Sequence, residues 1–171
     1  EWITDKINND LANIYGNLVS RTVAMSNKYF GGVLENAGAK EDVDDDLIAT
    51  VTGAYEKVRA KINEFRISDA LSEIFVIFKR ANKYIDETMP WALAKDESKT
   101  ARLKTVLYNL AESIVIGTSL LEPFMPETAA KVTSYFGTTV RDYGQIARFG
   151  GIENGTKVVE NPEILFKRLD V

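Results

Sequence analysis

A helical period that keeps returning is what most restricts this chain. Ile7, Leu11, Ile14 and Leu18 follow steps of four, three and four, which places them on one stripe of a helix. That helix runs to about Phe30 and stops at Gly31-Gly32. A second stripe holds Leu47, Val51, Ala54, Val58 and Ile62. A third holds Leu71, Ile74, Phe78, Ala81 and Ile85, with Ser68 placed to cap it. Pro90 must stop this third helix, because proline lacks the amide donor and disfavours helix in the residue before it. The fourth stripe is the cleanest: Leu103, Leu107, Leu110, Ile114, Gly117 and Leu121. Pro123 and Pro126 then break the chain and begin a shorter fifth helix to about Phe136. Long amphipathic helices with short connections bury their stripes against one another. The expectation is therefore all-α, an antiparallel helix bundle of four to five helices with an irregular C-terminal tail. It is one domain over 1–171, with a helical core at about 5–136 and a docked or loose tail at about 137–171.

Composition narrows the chemistry. A chain of 171 residues removes roughly 70% of its unfolded surface from water and needs no staples. It has no cysteine and no histidine, which excludes disulfides, thiolate metal sites and the commonest general base. The net charge is −4, so attraction to nucleic acid or anionic membrane is not its overall character. Its apolar runs are too short to span a bilayer, and no signal peptide opens it. Lacking an initiating Met, it reads as a cytoplasmic piece of a longer protein.

Two motif matches fail. Residues 35–46 carry Glu35, Glu41, Asp42, Asp44, Asp45 and Asp46 against Lys40, which reads as a solvated acidic loop ending in an N-cap. As a calcium loop it has Leu47 where glycine is required and Gly53 where a bidentate Glu is required. Gly150 to Gly155 followed by Thr156-Lys157 imitates a phosphate loop with its last residues swapped. Without a clear strand before it or helix after it, the backbone nest is not expected.

Two constellations remain. Asn13, Asn17 and Arg21 are spaced by four, so they form a row along one helix side. Arg21 also falls where the stripe of Leu18 calls for an apolar residue. The bland reading is a snorkelling arginine or a helix-packing ion pair. The other is recognition, since amide and guanidinium groups match the edges of nucleobases. The second constellation is Asn82-Lys83-Tyr84-Ile85-Asp86 followed by Met89-Pro90-Trp91. Trp91 is either a lid over the core or a rigid platform that stacks an unpaired base. From 79 to 104 the cations Lys79, Arg80, Lys83, Lys95, Lys99, Arg102 and Lys104 outnumber Asp86, Glu87, Asp96 and Glu97 by three, suggesting a basic face.

The segments Asn9-Asp10-Leu11-Ala12-Asn13, Gly16-Asn17-Leu18-Val19-Ser20-Arg21-Thr22 and Asn27-Lys28-Tyr29-Phe30-Gly31-Gly32 resemble methionyl-tRNA synthetases just after their catalytic domain. Asn82 to Asp86 with Pro90-Trp91-Ala92-Leu93-Ala94-Lys95 is similar to the same family's anticodon-binding domain. So are Leu121-Glu122-Pro123-Phe124-Met125-Pro126 and the tail Ile164-Leu165-Phe166-Lys167-Arg168-Leu169, although Lys167 stands where many relatives have proline. No single piece is specific, but the ordered set is, and it covers essentially the whole chain.

The resemblance implies a bacterial-type C-terminal anticodon-binding domain that reads the CAU anticodon of methionine tRNA. It implies base-edge hydrogen bonds from Asn17 and Arg21 and stacking of the first anticodon base on Trp91, with Asn13, Asn82 and Pro90 in support. The parent enzyme would join methionine to tRNA through methionyl-adenylate, using ATP and magnesium, with zinc where a zinc-binding insertion is present. No two-histidine motif and no Lys-Met-Ser-Lys-Ser loop is in this chain. The segment itself is thus expected to be non-catalytic and to need no cofactor. Its expected partners are the anticodon loop of methionine tRNA and its own N-terminal catalytic domain, with neither DNA nor a membrane. Two readings compete. One is the equivalent domain of a cysteinyl, leucyl or valyl synthetase. The other is a helical protein-docking module without RNA function, which the acidic net charge favours.

Overall fold

A computed structural model describes residues 8–162, with side chains from residue 10 onward. The described residues begin with a wide π-helical segment, Asn8–Gly16, which runs directly into α1, Asn17–Phe30. Gly31, at φ 60°, turns the backbone left-handed and ends α1. Then come β1 (Val33–Leu34), α2 (Asp42–Asn63), α3 (Ile67–Thr88), the short α4 (Pro90–Leu93) and α5 (Thr100–Leu121). α6 (Pro126–Tyr135) and β2 (Thr156–Lys157) complete the described elements. The strands pair antiparallel over two residues, Val33 with Lys157 and Leu34 with Thr156. The fold is the expected all-α antiparallel bundle with this small pairing at its edge. Ile7 and the tail residues Ile164 to Leu169 lie outside the described residues.

α5 is the axis of the bundle. Every residue from Thr105 to Leu121 is buried, because α1, α2, α3 and α6 all pack on it. Its serines tolerate this by bonding back along the helix, Ser113 to the Asn109 carbonyl and Ser119 to the Val115 carbonyl, each at 2.8 Å. Gly117 lets α3 come close: a Cβ there would lie 2.5 Å from the Phe78 ring. Tyr15 stacks on that same ring with centroids 4.3 Å apart, and its hydroxyl pairs with that of Thr118 at 2.7 Å.

These contacts fix the helix directions. Tyr15 beside Thr118 and Lys104 over the Phe30 ring make α1 antiparallel to α5. Phe78 against Gly117, with Asn109 Nδ2 donating to the Tyr84 hydroxyl, makes α3 antiparallel to α5 as well. α1 and α3 therefore run the same way, side by side.

Several expectations are corrected. Ser68 does not cap the third helix, which starts at Ile67 and has no side-chain cap. The acidic run is a loop only as far as Glu41. From Asp42 it forms the first turns of α2, where carboxylates complement the positive end of the helix dipole. Asp44 is buried rather than solvated. Arg21 is exposed, because the apolar stripe passes from Leu18 to Thr22 and Val23 and leaves it outside. Among the described residues the tail is docked. Ile146, Ile152 and Val158 are buried, and Asn27 Nδ2 donates to the Val159 carbonyl at 2.9 Å.

Candidate nucleic-acid interface

The spacing of four brings Asn13, Asn17 and Arg21 onto one exposed strip along the π segment and α1. No hydrogen bond or ion pair to Asn17 or Arg21 occurs among the described residues, so their donors face solvent. Asn82 has a bracing role instead. Its Nδ2 donates to the Ile14 carbonyl at 3.2 Å and ties α3 to the helix that carries the strip.

This bond also sets the register. With Tyr15 stacked on Phe78, it sets the start of α1 beside the C-terminal half of α3, which ends at Met89. Met89 ends α3 in a left-handed conformation, φ 51°, and launches α4 with Pro90 at its first position. Pro90 is buried and anchors the turn, while Trp91 beside it is 41% exposed. The indole is thus neither a closed lid nor a free side chain; it stands half out of a rigid corner. Asn17 and Arg21 thus lie in the first turns of α1, and Trp91 just past the end of α3, whose C-terminal half lies beside the start of α1.

The basic face is smaller than the charge count suggests. Arg80 pairs with Asp46 at 2.7 Å and with Glu87 at 2.5 Å, and Lys104 pairs with Glu35 at 2.9 Å. Arg102 is inside the molecule. Its guanidinium grips Asp44 with Nη1 at 2.7 Å and Nη2 at 2.9 Å, and Nη1 also donates to the Ala39 carbonyl at 2.9 Å. Tyr84 donates to the same carboxylate at 2.6 Å. Burial alone pushes the Asp44 pKa up, but the bonds from Arg102 and Tyr84 outweigh it and hold the carboxyl below its ordinary value. Burial, with Asp44 alongside, pushes the Tyr84 hydroxyl up, so it stays protonated as donor. This network clamps both stems of the connector that carries Trp91: Tyr84 in the last turns of α3 and Arg102 at the start of α5.

Sequence reasoning missed the network, although a signal was there. Asp44 lies three residues before Leu47, so extending the stripe of α2 backward by one turn places it inside.

A second buried carboxylate, Glu112 on α5, accepts from Arg141 Nη2 at 2.5 Å and Nη1 at 2.9 Å, and from the backbone N–H groups of Gly150 at 2.8 Å and Ile152 at 2.6 Å. The glycine-rich segment dismissed as a phosphate loop does aim amides at an anion, and that anion belongs to the protein itself.

A cavity of about 790 Å³ between the ends of α2 and α5 and the tail is lined by Tyr55, Val58, Ile62, Leu120, Pro123 and Ile146 among others. None of the candidate recognition residues lines it. Among the described residues no helix is long and apolar enough to cross a membrane, and no cluster of three acidic, His or Cys residues is placed to hold a metal ion.

Residues 34–170 match the family model of the anticodon-binding domain of methionyl-tRNA ligase. Over its whole length the chain is 49% identical to the methionine–tRNA ligase of Caldanaerobacter subterraneus subsp. tengcongensis and 46% identical to that of Clostridium perfringens. It spans only 27% and 26% of those two proteins, about a quarter of each. The apo crystal structure of Mycobacterium tuberculosis methionyl-tRNA synthetase, 34% identical, is similar with a TM-score of 0.89, covering 99% of this chain and 34% of that one.

Proposed function

The chain belongs to the family of methionyl-tRNA ligase anticodon-binding domains, and on that premise we propose that it reads the CAU anticodon of methionine tRNA. The observation that carries the reading is the strip of Asn17 and Arg21, open to solvent at the start of α1, with a half-exposed Trp91 just past the end of the neighbouring α3. Amide and guanidinium groups there supply directed donors to base edges. Trp91 supplies a face on which the first anticodon base stacks. Asn13 extends the strip, while Asn82 and Pro90 act indirectly, by fixing the register and the corner. The proposal includes the boundaries, a bundle over about 5–136 with its tail over 137–171.

The longer protein is proposed to be a cytoplasmic methionine–tRNA ligase that works through methionyl-adenylate with ATP and magnesium. A chain without His or Cys does not fit a zinc site, and its described carboxylates do not cluster as one. This segment would contribute through specificity, by docking the correct tRNA against the catalytic domain that precedes it.

The test is a titration with an anticodon hairpin carrying CAU and with versions changed at one base. Tryptophan fluorescence is read in a Trp2→Phe background, so that Trp91 alone reports. Saturable quenching by CAU that weakens at least about tenfold when the first base changes supports the reading, since a lost base contact costs roughly 1–3 kcal/mol. An equal response to every hairpin would leave only non-specific binding.

A further inference from the structure

We infer that Lys79 and Lys83 contact RNA phosphates at the foot of the face formed by Asn17, Arg21 and Trp91, an assignment that rests on the anticodon-binding proposal and adds two residues to it.

Each residue advances about 100° around α3. Arg80 and Tyr84 mark the flank that faces α2, through Asp46 at 2.7 Å and Asp44 at 2.6 Å. Asn82 marks the opposite flank, which faces the π segment through Ile14. Lys79 lies about 60° beyond Asn82 on the solvent side, and Lys83 about 100° beyond it. Lys79 therefore borders the open side of the groove between α3 and α1, and Lys83 stands beside it on the exposed crest between the two flanks. On α1, Asn27 marks the flank toward the tail, through Val159, and Ile14 the flank toward α3. Arg21 lies on α1 four residues after Asn17, on the same exposed strip. The open side thus has Arg21 on α1 and the two lysines on α3.

Charge points the same way. Both lysines are exposed, and no acid pairs with either among the described residues. This contrasts with Arg80, Arg102 and Lys104, which acids on neighbouring segments occupy. Along α3, Lys79 and Lys83 sit about 15 Å and 9 Å below the level of Met89. Asp86, about 40° from Asn82, lies on the same open side above Lys83 and repels phosphate from that level. An ammonium group is a strong point charge without a directed fork, suited to phosphate rather than to a base edge.

The two roles separate experimentally, because phosphate contacts set salt dependence and base contacts set discrimination. Binding of methionine tRNA transcripts, with CAU or with a changed first anticodon base, is measured from about 50 to 200 mM salt on the full-length ligase chain carrying this sequence. Wild type is compared with Lys79→Ala/Lys83→Ala and with Lys57→Ala/Lys61→Ala on α2, which removes the same charge elsewhere. Melting by circular dichroism checks that each variant folds.

The slope of log affinity against log salt is expected to flatten by roughly 0.7 for each groove lysine removed, with the ratio between the two tRNAs unchanged. The α2 variant keeps the wild-type slope. Equal slopes in all three proteins overturn the assignment. So does a groove variant that loses discrimination, because the lysines would then act through the base-reading geometry. A wild type that fails to discriminate, with the slope difference intact, overturns the anticodon reading and leaves the lysines as phosphate contacts.

Discussion

Trp91 and Arg21 make the proposal testable one side chain at a time, because neither is part of the core. Trp91→Ala is expected to weaken binding of the CAU hairpin by about 1–3 kcal/mol, the range for one stacked base. Its melting temperature should move little, since the ring is 41% exposed and Pro90 holds the corner. A large drop in melting temperature with binding intact, measured by calorimetry and titration, would make the indole a lid after all. Arg21→Ala should cost roughly 1–3 kcal/mol of selectivity between anticodons with stability preserved. Arg21→Lys separates charge from geometry: affinity is largely kept while discrimination falls, because the ammonium lacks the planar fork. The row Asn13, Asn17 and Arg21 was legible in the sequence because one period of four decides it. The bond from Asn82 to Ile14 was not, since it depends on the register between helices 68 residues apart in sequence.

Helix ends hold more information than helix middles, and two of them carry predictions. α2 ends in a turn in which Arg66 N–H donates to the Lys61 carbonyl at 2.8 Å and Phe65 N–H to the Ile62 carbonyl at 2.9 Å. Phe65 occupies the left-handed position of that motif at φ 59°, where glycine is the usual residue, and it is 91% exposed. Phe65→Gly should therefore stabilise the protein by about 0.5–1 kcal/mol, measured by urea unfolding, since relief of Cβ strain exceeds the entropy lost. At the other end of α2, Asp44→Asn leaves the buried Arg102 guanidinium only the longer, exposed pairing with Glu41 at 3.4 Å, and about 3 kcal/mol of stability should be lost. The pH dependence follows from the lowered Asp44 pKa. The contribution of the pair is complete above the unfolded value of about 3.9 and disappears as pH falls through the lower folded value. Wild type should thus lose stability more steeply below about pH 4 than Asp44→Asn does, and parallel acid profiles would refute the assignment. The spans of the helices were legible because apolar stripes and prolines mark them. The burial of Asp44 was hidden by the four acids around it, as composition cannot say which member of a charge run turns inward.

At the scale of the whole molecule the question is whether bundle and tail stand or fall together, and Glu112 decides it. The sequence of the tail has no period, only glycines, so neither its path nor its anchor was legible. The anchor lies on α5, and the groups that satisfy it come from Arg141, 29 residues later, and from the amides of Gly150 and Ile152, 38 and 40 residues later. Removing the carboxylate in Glu112→Ala strands a nearly buried guanidinium and two backbone donors at once, each costly to bury unpaired. The helices keep their own contacts, because α5 is packed by α1, α2, α3 and α6 whether or not the tail is present. Local rather than global opening is expected. In native-state hydrogen exchange, Gly150, Ile152 and Val158 should lose protection in the variant while amides of α3 and α5 retain theirs. If the helix amides lose protection to the same degree, the tail is a structural part of the bundle. The proposed recognition face on α1 and α3 would then depend on Glu112 despite lying far from it in sequence. If only the tail opens, binding of the CAU hairpin should survive within about a few-fold, because the tail touches α1 at Asn27, near its far end, while Asn82 braces the segment before Asn17 and Pro90 with the Asp44 network braces Trp91.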